Sequence, residues 1–221
     1  MREFGPGDIW FLVRAAQWTL VLSATAFVGG GLLGAALALA RISRSRLLRL
    51  GAAAYIQVFQ GTPLLVQLFI WYFGLSLFGT DLPPLAAAGL ALTLNSAAFF
   101  AEIWQGSLGS IPKGQWESAA SLGLSRGQQL GWVIVPQAVR IALPPTAGLM
   151  VQIVKNTSLT ALIGFVELVR AGQLVNNATF EPAASYLIVG AIYFVICFPL
   201  SILSRALERR LHGGRRTLQS V

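Results

Sequence analysis

The sequence predicts an all-α integral membrane protein with five transmembrane helices. Charged residues make up only 11% of the 221 residues, and 55% are hydrophobic. Soluble domains carry roughly 25% charged residues, so this chain could not cover the surface of a soluble fold. Long uncharged runs alternate with short basic blocks, and about 20 apolar residues are enough to cross a bilayer. Both observations favour a multispanning membrane protein.

The apolar runs predict one transmembrane domain over 1–221, with spans at approximately 15–40, 52–78, 85–105, 140–165 and 183–205. Residues 1–14 are expected to form a short interfacial start, since they include Pro6 and Gly7. The first run is too long for the apolar core of a cleaved signal peptide, which is the competing interpretation. Within it, Gly30 and Gly34 would permit a second helix to approach closely; ordinary tolerance of glycine in a membrane helix is the alternative.

The basic residues predict the orientation of the chain. Twelve of the sixteen fall in three places: the first basic loop, a loop at 112–136 together with Arg140 just after it, and the C-terminal segment from Arg205 with its basic tail at 206–221. Lysine and arginine are enriched on the cytoplasmic side of membrane proteins. We therefore expect the N-terminus outside, the C-terminus inside, and the loop at 112–136 in the cytoplasm.

The composition also argues against several other functions. The net charge of +8 is spread in blocks between apolar runs, which suits membrane loops and not nucleic-acid binding. Cys197 and His212 are the sole residues of their types, so we expect no internal disulfide, no metal site and no catalytic triad. The sequence has no G-x4-G-K-[ST] phosphate loop. We therefore expect no enzyme activity and no cofactor in this chain.

The loop at 112–136, PKGQWESAASLGLSRGQQLGWVIVP, predicts a compact helix–turn–helix. Two helical pieces are expected, over 115–122 and 128–135. Gly123 suits the left-handed end of the first piece, and Ser125 can cap the second. Glu117 is expected in the first turn of the first piece, and Pro112 and Pro136 are expected to stop the pieces from running into the spans. Small residues at 118–120 would leave room for a partner. A plain amphipathic loop on the lipid headgroups is the alternative.

This loop resembles the EAA motif, E-A-A-x3-G-x9-I-x-L-P, of the permease subunits of ABC importers. Glu117, Ser118, Ala119, Gly123 and Pro136 match its spacing without a gap. The departures are conservative: Ser118 replaces alanine, and valines replace isoleucine and leucine before the proline. The segments VFQGTPLLVQLF, AEIWQGSLGSIPKGQWESA and VKNTSLTALIGFVEL are similar to further signatures of the polar amino-acid uptake branch, with Gln60 where arginine is usual.

The resemblance implies a type I ABC importer permease in the bacterial cytoplasmic membrane. Its partners would be two copies of an ATP-binding subunit, a second permease chain, identical or homologous, and a periplasmic substrate-binding protein. The cargo would be a polar amino acid. ATP and magnesium would be bound by the partner subunit, and the loop would dock into a groove on that subunit and transmit its closure to the membrane helices.

Polar side chains within membrane spans are costly and usually functional, so they are candidates for a substrate path. Lys155 would attract a substrate carboxylate or pair with Glu102 or Glu167, and Glu102 would bind a substrate ammonium. The alternatives are a snorkelling lysine, a structural role for Glu102, and a packing kink at the second span. The candidates are Gln60, Thr62, Glu102, Lys155, Asn156, Thr157 and Ser158.

Other hypotheses remain open at this point. An ABC permease for a related small solute, such as an opine or cystine, uses the same signatures. A secondary transporter, a channel subunit or a membrane scaffold uses similar apolar spans, but none of these explains the spacing of the loop at 112–136.

Overall fold

The computed structural model describes residues 2–213, and in this part of the chain all the regular structure is helical. The long helices are α1 (Pro6–Arg41), α2 (Arg46–Gly61), α4 (Pro84–Gly109), α7 (Val135–Asn156) and α9 (Pro182–Gly213). The shorter ones are α3 (Leu64–Phe69), α5 (Lys113–Ser121), α6 (Arg126–Gln128) and α8 (Leu168–Thr179). The second half of the predicted basic tail, 214–221, lies outside the described residues.

Four continuous helical segments are long and apolar enough to cross a membrane. Among the described residues these are Pro6–Arg41, Pro84–Gly109, Arg126–Ile163 and Pro182–Leu211. A bent pair, α2 with the segment from α3 to Phe78, makes a fifth candidate. This agrees with the predicted helical fold. The depths at which the helices enter and leave the bilayer, and their orientation, stay predictions.

Helix α1 begins earlier than the sequence suggested. Residues before 15 were expected to form an interfacial start, but the helix is already established at Pro6, in its first turn. The carboxylate of Asp8 accepts a hydrogen bond from the Gly5 amide at 3.0 Å and pairs with Arg2. Proline needs no amide partner at this position, so the helix can start there. At 36 residues, α1 is ~54 Å long, well beyond the roughly 30 Å of a bilayer core.

Helices α1 and α4 run parallel and pack very closely along a seam of small residues. A Cβ atom at Gly30 would lie 2.9 Å from the Ser96 Cβ, and one at Gly34 would lie 2.5 Å from the Phe100 Cβ. Neither contact is possible for a larger residue without separating the helices. Gly30 and Gly34 therefore lie where α4 approaches α1 most closely, as one of the two interpretations of the sequence expected.

The second predicted span is broken. Helix α2 ends at Gly61, Thr62 is extended, and Pro63 starts the next segment, which continues as a π-helical turn (Ile70–Gly74) and a 3-10 turn (Leu75–Phe78). The two halves are bent by 100° relative to each other. A residue before proline disfavours the helical conformation, which accounts for the break.

The expected stop at Pro136 is wrong. The helix runs on from α6 through a π-helical turn (Gln129–Ile134) into α7 and a final 3-10 segment (Thr157–Ile163). Pro136 lies in the first turn of α7, directly after the π-helical turn, where its missing amide is tolerated. The link after this helix, expected to be a polar connection, also contains the amphipathic helix α8.

Candidate functional site

The turn in the loop at 112–136 is closed by hydrogen bonds between near neighbours. Gly123 has φ +73°, the left-handed conformation that the sequence predicts for it. Its amide donates to the Ala120 carbonyl at 2.9 Å, and the Leu124 amide donates to the Ala119 carbonyl at 3.3 Å. This pair of bonds is the Schellman arrangement that satisfies the carbonyls at a helix end.

The start of the second helical piece is capped as expected. The Ser125 amide donates to Gln128 Oε1 at 2.9 Å, completing a capping box, and Gln129 Nε2 donates to the Leu124 carbonyl at 2.7 Å. The turn from Gly123 to Ser125 is thus bonded on both sides.

The small residues at 118–120 were expected to leave room for a partner, but one of them faces the interior of the chain. Ala119 is 2% exposed, so its small side chain packs against other residues of this chain and is not available to a partner. Ser118 and Ala120 are exposed. Helix α5 begins at Lys113, so Glu117 lies in its second turn and not in the first. A small core of Ile111, Ile134 and Ala138, flanked by Trp116, joins the loop to the ends of α4 and α7.

The most exposed large apolar side chain of the loop at 112–136 is one that sequence reasoning missed. Leu122 is 79% exposed at the end of α5, next to Gly123. An apolar side chain exposed at the tip of an otherwise polar loop is a natural contact for a second protein. The sequence feature that could have identified Leu122 is its position directly before Gly123, the predicted left-handed residue.

The break in the second span is held by two buried amides. Gln67 is 4% exposed, and its Nε2 lies 2.8 Å from the Phe59 carbonyl and 2.8 Å from Thr62 Oγ1. Asn95 Nδ2, on α4, donates to the Phe59 carbonyl and to Gln67 Oε1, both at 3.2 Å. These amides satisfy carbonyls at the end of α2. Thr62, a substrate-path candidate, takes part in this network.

Two of the candidate path residues are brought together beside the break. Gln60 Nε2 donates to Glu102 Oε2 at 2.5 Å and lies 3.4 Å from the Ala98 carbonyl. Glu102 is exposed, so its other oxygen can still accept a hydrogen bond. The pair therefore places a carboxylate and an amide next to one another on an accessible surface.

Lys155 does not form either ion pair considered from the sequence. Its side chain is exposed, and within the described residues it bonds neither Glu102 nor Glu167. Glu167 is fully buried and caps α8 instead: its carboxylate accepts from the Val169 and Arg170 amides at 2.9 Å and from the Tyr193 hydroxyl at 3.1 Å. Burial raises the pKa of the Glu167 carboxyl above its ordinary value, although these two amides act in the opposite direction.

The residues after Lys155 differ in their exposure. Thr157 is completely buried, and its hydroxyl donates to the Val154 carbonyl at 2.8 Å. Ser158 is partly exposed and donates to the Lys155 carbonyl at 2.6 Å, and Asn156 is also partly exposed. Thr157 therefore lies in the protein interior, and its neighbours lie closer to the surface. Among the described residues there is no cluster that could hold a metal ion.

Apolar helices around a polar break, with a rigid helix–turn–helix at one end, define a membrane-embedded transport subunit. The chain belongs to the family described as binding-protein-dependent transport system inner membrane component, which matches residues 30–213. It is therefore a multi-pass permease of an ABC transporter, and the spacing in its loop is the EAA motif. Membership in this family implies ATPase and permease partners.

Relatives with curated names match nearly the whole chain. The probable amino-acid ABC transporter permease protein YckA of Bacillus subtilis (strain 168) is 37% identical over 90% of this chain and 88% of its own length. The L-cystine transport system permease protein TcyB of the same organism is 36% identical over 91% of each chain. The glutamine transport system permease protein GlnP of Escherichia coli (strain K12) is 35% identical, covering 95% of this chain and 98% of its own.

Solved structures share the fold. A chain from the crystal structure of an amino acid ABC transporter with histidines superposes with a TM-score of 0.86 at 36% identity, covering 90% of this chain and 94% of that one. A chain of the MetNI methionine ABC transporter, in an inward-facing conformation, gives a TM-score of 0.75 at 20% identity over 92% and 99% of the two chains. The fold is that of a type I ABC permease.

Proposed function

We propose that this chain carries a polar amino acid into the cell as the permease subunit of an ABC importer. The observation that supports this most directly is the folded loop, in which Glu117, Gly123 and Pro136 keep the EAA spacing and Gly123 forms the corner. The amino-acid permeases among its relatives, at 35–37% identity, support the class of cargo. The chain would not itself be an enzyme.

The loop would act as a lever between a soluble motor and the membrane helices. Two ATP-binding subunits, which hold ATP and magnesium, would each grip the loop of one permease chain, and a second permease chain would complete the path. Because one helical segment runs from Arg126 to Ile163, a displacement of the loop would be passed directly into α7. This segment could bend at the π-helical turn (Gln129–Ile134) and at Pro144 and Pro145. The N-terminus would lie outside, where a periplasmic binding protein delivers the cargo.

The substrate path would run past the break in the second span. Gln60 and Glu102 form one polar pair there and would bind the ammonium group of an amino acid. Lys155, exposed and without an ion pair in the described part of the chain, would attract its carboxylate. Asn156 and Ser158 would line the same region, whereas Thr62 and the buried Thr157 would support the backbone beside it.

Cystine is a second candidate cargo. The cystine permease TcyB is 36% identical to this chain over 91% of its length, close to the 35% of the glutamine permease GlnP of Escherichia coli (strain K12). Cystine carries the same ammonium and carboxylate groups, so the proposed path does not discriminate against it.

Transport by the reconstituted complex tests this proposal. The chain would be assembled with its ATP-binding subunit in proteoliposomes, with the binding protein added, and uptake of labelled glutamine and cystine would be measured alongside ATP hydrolysis. We expect ATP-dependent uptake, with hydrolysis stimulated by the loaded binding protein. Uptake that needs an ion gradient and no ATP-binding subunit would instead make the chain a secondary transporter.

A further inference from the structure

A lateral groove lies between α1, α4 and α7 near the end of the molecule that carries the EAA loop. Its volume is about 340 Å³, and apolar side chains such as Ala38, Leu39, Ala138 and Ala142 form its walls. Trp104 lines it as well, but its Nε1 donates to Thr146 Oγ1 at 3.0 Å, so the polar groups of this pair are already satisfied. The groove therefore suits an apolar ligand.

A basic pocket continues from this groove. It has a volume of about 640 Å³ and shares Leu39 and Leu108 with the groove. Three basic residues line it. Arg44 lies in the loop between α1 and α2, Lys113 is the first residue of α5, and Arg126 is the first residue of α6. Among the described residues, none of those that line this pocket is an aspartate or a glutamate.

The three cations of the basic pocket have no anionic partner in the described part of the chain. Within the described residues, the side chains of Arg44, Lys113 and Arg126 form neither an ion pair nor a hydrogen bond, and Arg44 takes part only through its carbonyl, which accepts from Arg49. Arg41, nearby, is different, because its Nε donates to Gln105 Oε1 at 3.0 Å. All three side chains are exposed, and three unpaired cations around one cavity attract an anion.

We propose that the groove and the basic pocket together bind one anionic phospholipid of the surrounding membrane. An acyl chain would lie in the apolar groove, and the phosphate would lie among Arg44, Lys113 and Arg126. The continuity of the two cavities favours a lipid over free phosphate, since phosphate alone would leave the groove unfilled. Basic pockets between membrane helices are a known type of binding site for anionic headgroups. The proposal depends on the membrane location of the chain and not on its cargo.

Lipid binding to the purified full-length chain tests this proposal. Retention of phosphatidylglycerol and of phosphatidylcholine would be measured by native mass spectrometry and by titration in detergent, for the variant Arg44→Gln/Lys113→Gln/Arg126→Gln. We expect phosphatidylglycerol to bind roughly tenfold or more weakly to this variant, because each basic contact near an anionic surface is worth about a factor of five. The matched control, Arg205→Gln/Arg209→Gln/Arg210→Gln, removes the same charge from α9 and should retain the lipid.

A second variant addresses the groove alone. Ala142→Leu would fill the groove and should weaken phosphatidylglycerol binding with all three cations in place, whereas Ala191→Leu, at an exposed position of α9, should not. If the triple variant does not accumulate, Arg44→Gln and Ala142→Leu suffice to test the site.

Three outcomes would overturn the proposal. Equal retention of phosphatidylglycerol and phosphatidylcholine would show no anionic site. Full competition by inorganic phosphate, with no effect of Ala142→Leu, would show a free-anion site. Loss of a dimer in Ala142→Leu, with unchanged phosphatidylglycerol binding, would show that a second copy of the chain covers the groove.

Discussion

Two of the breaks between helices in the described part of the chain, the turn after α5 and the break after α2, are stabilised in opposite ways. At the turn after α5, the bonds that close the break join residues no more than five positions apart, as in the Leu124–Ala119 and Ser125–Gln128 pairs. At the break after α2, carbonyl groups are satisfied partly by Asn95, which lies 36 residues from Phe59. The hydrogen bonds of the first break are all local, whereas those of the second depend on the packing of α2, α3 and α4.

This difference matches the roles proposed for the two regions. A lever must keep its shape while it moves against a partner, so bonds within the turn are an advantage. A substrate path must change shape as it opens, and a break whose bonds are shared between helices changes when those helices move. The comparison gives four predictions, in order of decreasing expected effect.

The largest effect is expected at the corner of the lever. Gly123→Val places a β-branched residue at φ +73°, which costs about 1–2 kcal/mol and distorts the turn. We expect uptake to fall to background in proteoliposomes while membrane insertion is unchanged and ATP hydrolysis loses its dependence on the binding protein. Gly114→Val is the control, since Gly114 is also exposed and in open space but does not have a positive φ. Normal transport by Gly123→Val would remove the lever assignment.

The second prediction tests whether Asn95, on α4, stabilises the break after α2. Asn95→Leu leaves the buried Gln67 Oε1 without a donor and removes one of the two donors to the Phe59 carbonyl, which keeps its bond from Gln67 Nε2. We expect a loss of about 1–3 kcal/mol in the stability of the purified chain, measured by thermal or denaturant unfolding. Asn177→Leu, at an exposed position on α8, should have little effect. A stability equal to wild type would mean that the break is held by local bonds after all.

The same contrast explains which features could be predicted from the sequence. Gly123 and Ser125 could be assigned because a left-handed corner and a helix cap each depend on adjacent residues. Gln67 and Asn95 were missed because their pairing appears only when α3 packs on α4, although both are polar residues in apolar runs. The inward position of Ala119 was missed for a related reason, since its neighbours come from the ends of α4 and α7.

Two errors in the predicted boundaries have local physical causes. Pro136 was expected to end a helix, but a π-helical turn precedes it and the helix continues. The polar link was judged by its charges, although Leu168, Ala171 and Val175 already have the spacing of one apolar helix face, which packs against α1 and α9. At both positions, the packing of the helix decides where it ends, and a proline or a charged residue in the sequence does not.

The third prediction tests whether the locally closed turn presents a contact surface. Leu122→Ser removes an exposed apolar side chain without altering the bonds of the turn. If the ATP-binding subunit buries this side chain, its affinity should fall about tenfold, because a buried leucine contributes about 1.5 kcal/mol or more. Binding would be measured with purified partners, with Leu187→Ser, a similarly exposed leucine of α9, as the control. Unchanged affinity would place the contact elsewhere on the loop.

The smallest effect is expected at the start of α8, where local and distant support are combined. Glu167 accepts hydrogen bonds from its neighbours Val169 and Arg170 and also from Tyr193 on α9. Because burial raises its pKa in the folded state, its contribution to stability is complete below the unfolded pKa of about 4.3 and is lost as the pH rises through the folded value.

Glu167→Gln should remove this decline with pH, since glutamine keeps one acceptor oxygen and does not ionise. Unfolding midpoints measured from acidic to neutral pH would show a shallower slope for the variant, whereas Glu3→Gln, at an exposed position, should follow wild type. A wild-type slope of the opposite sign, with stability rising with pH, would mean that the amides of Val169 and Arg170 dominate over burial. Local hydrogen bonds would then determine the stability of the start of α8, as they close the turn at Gly123.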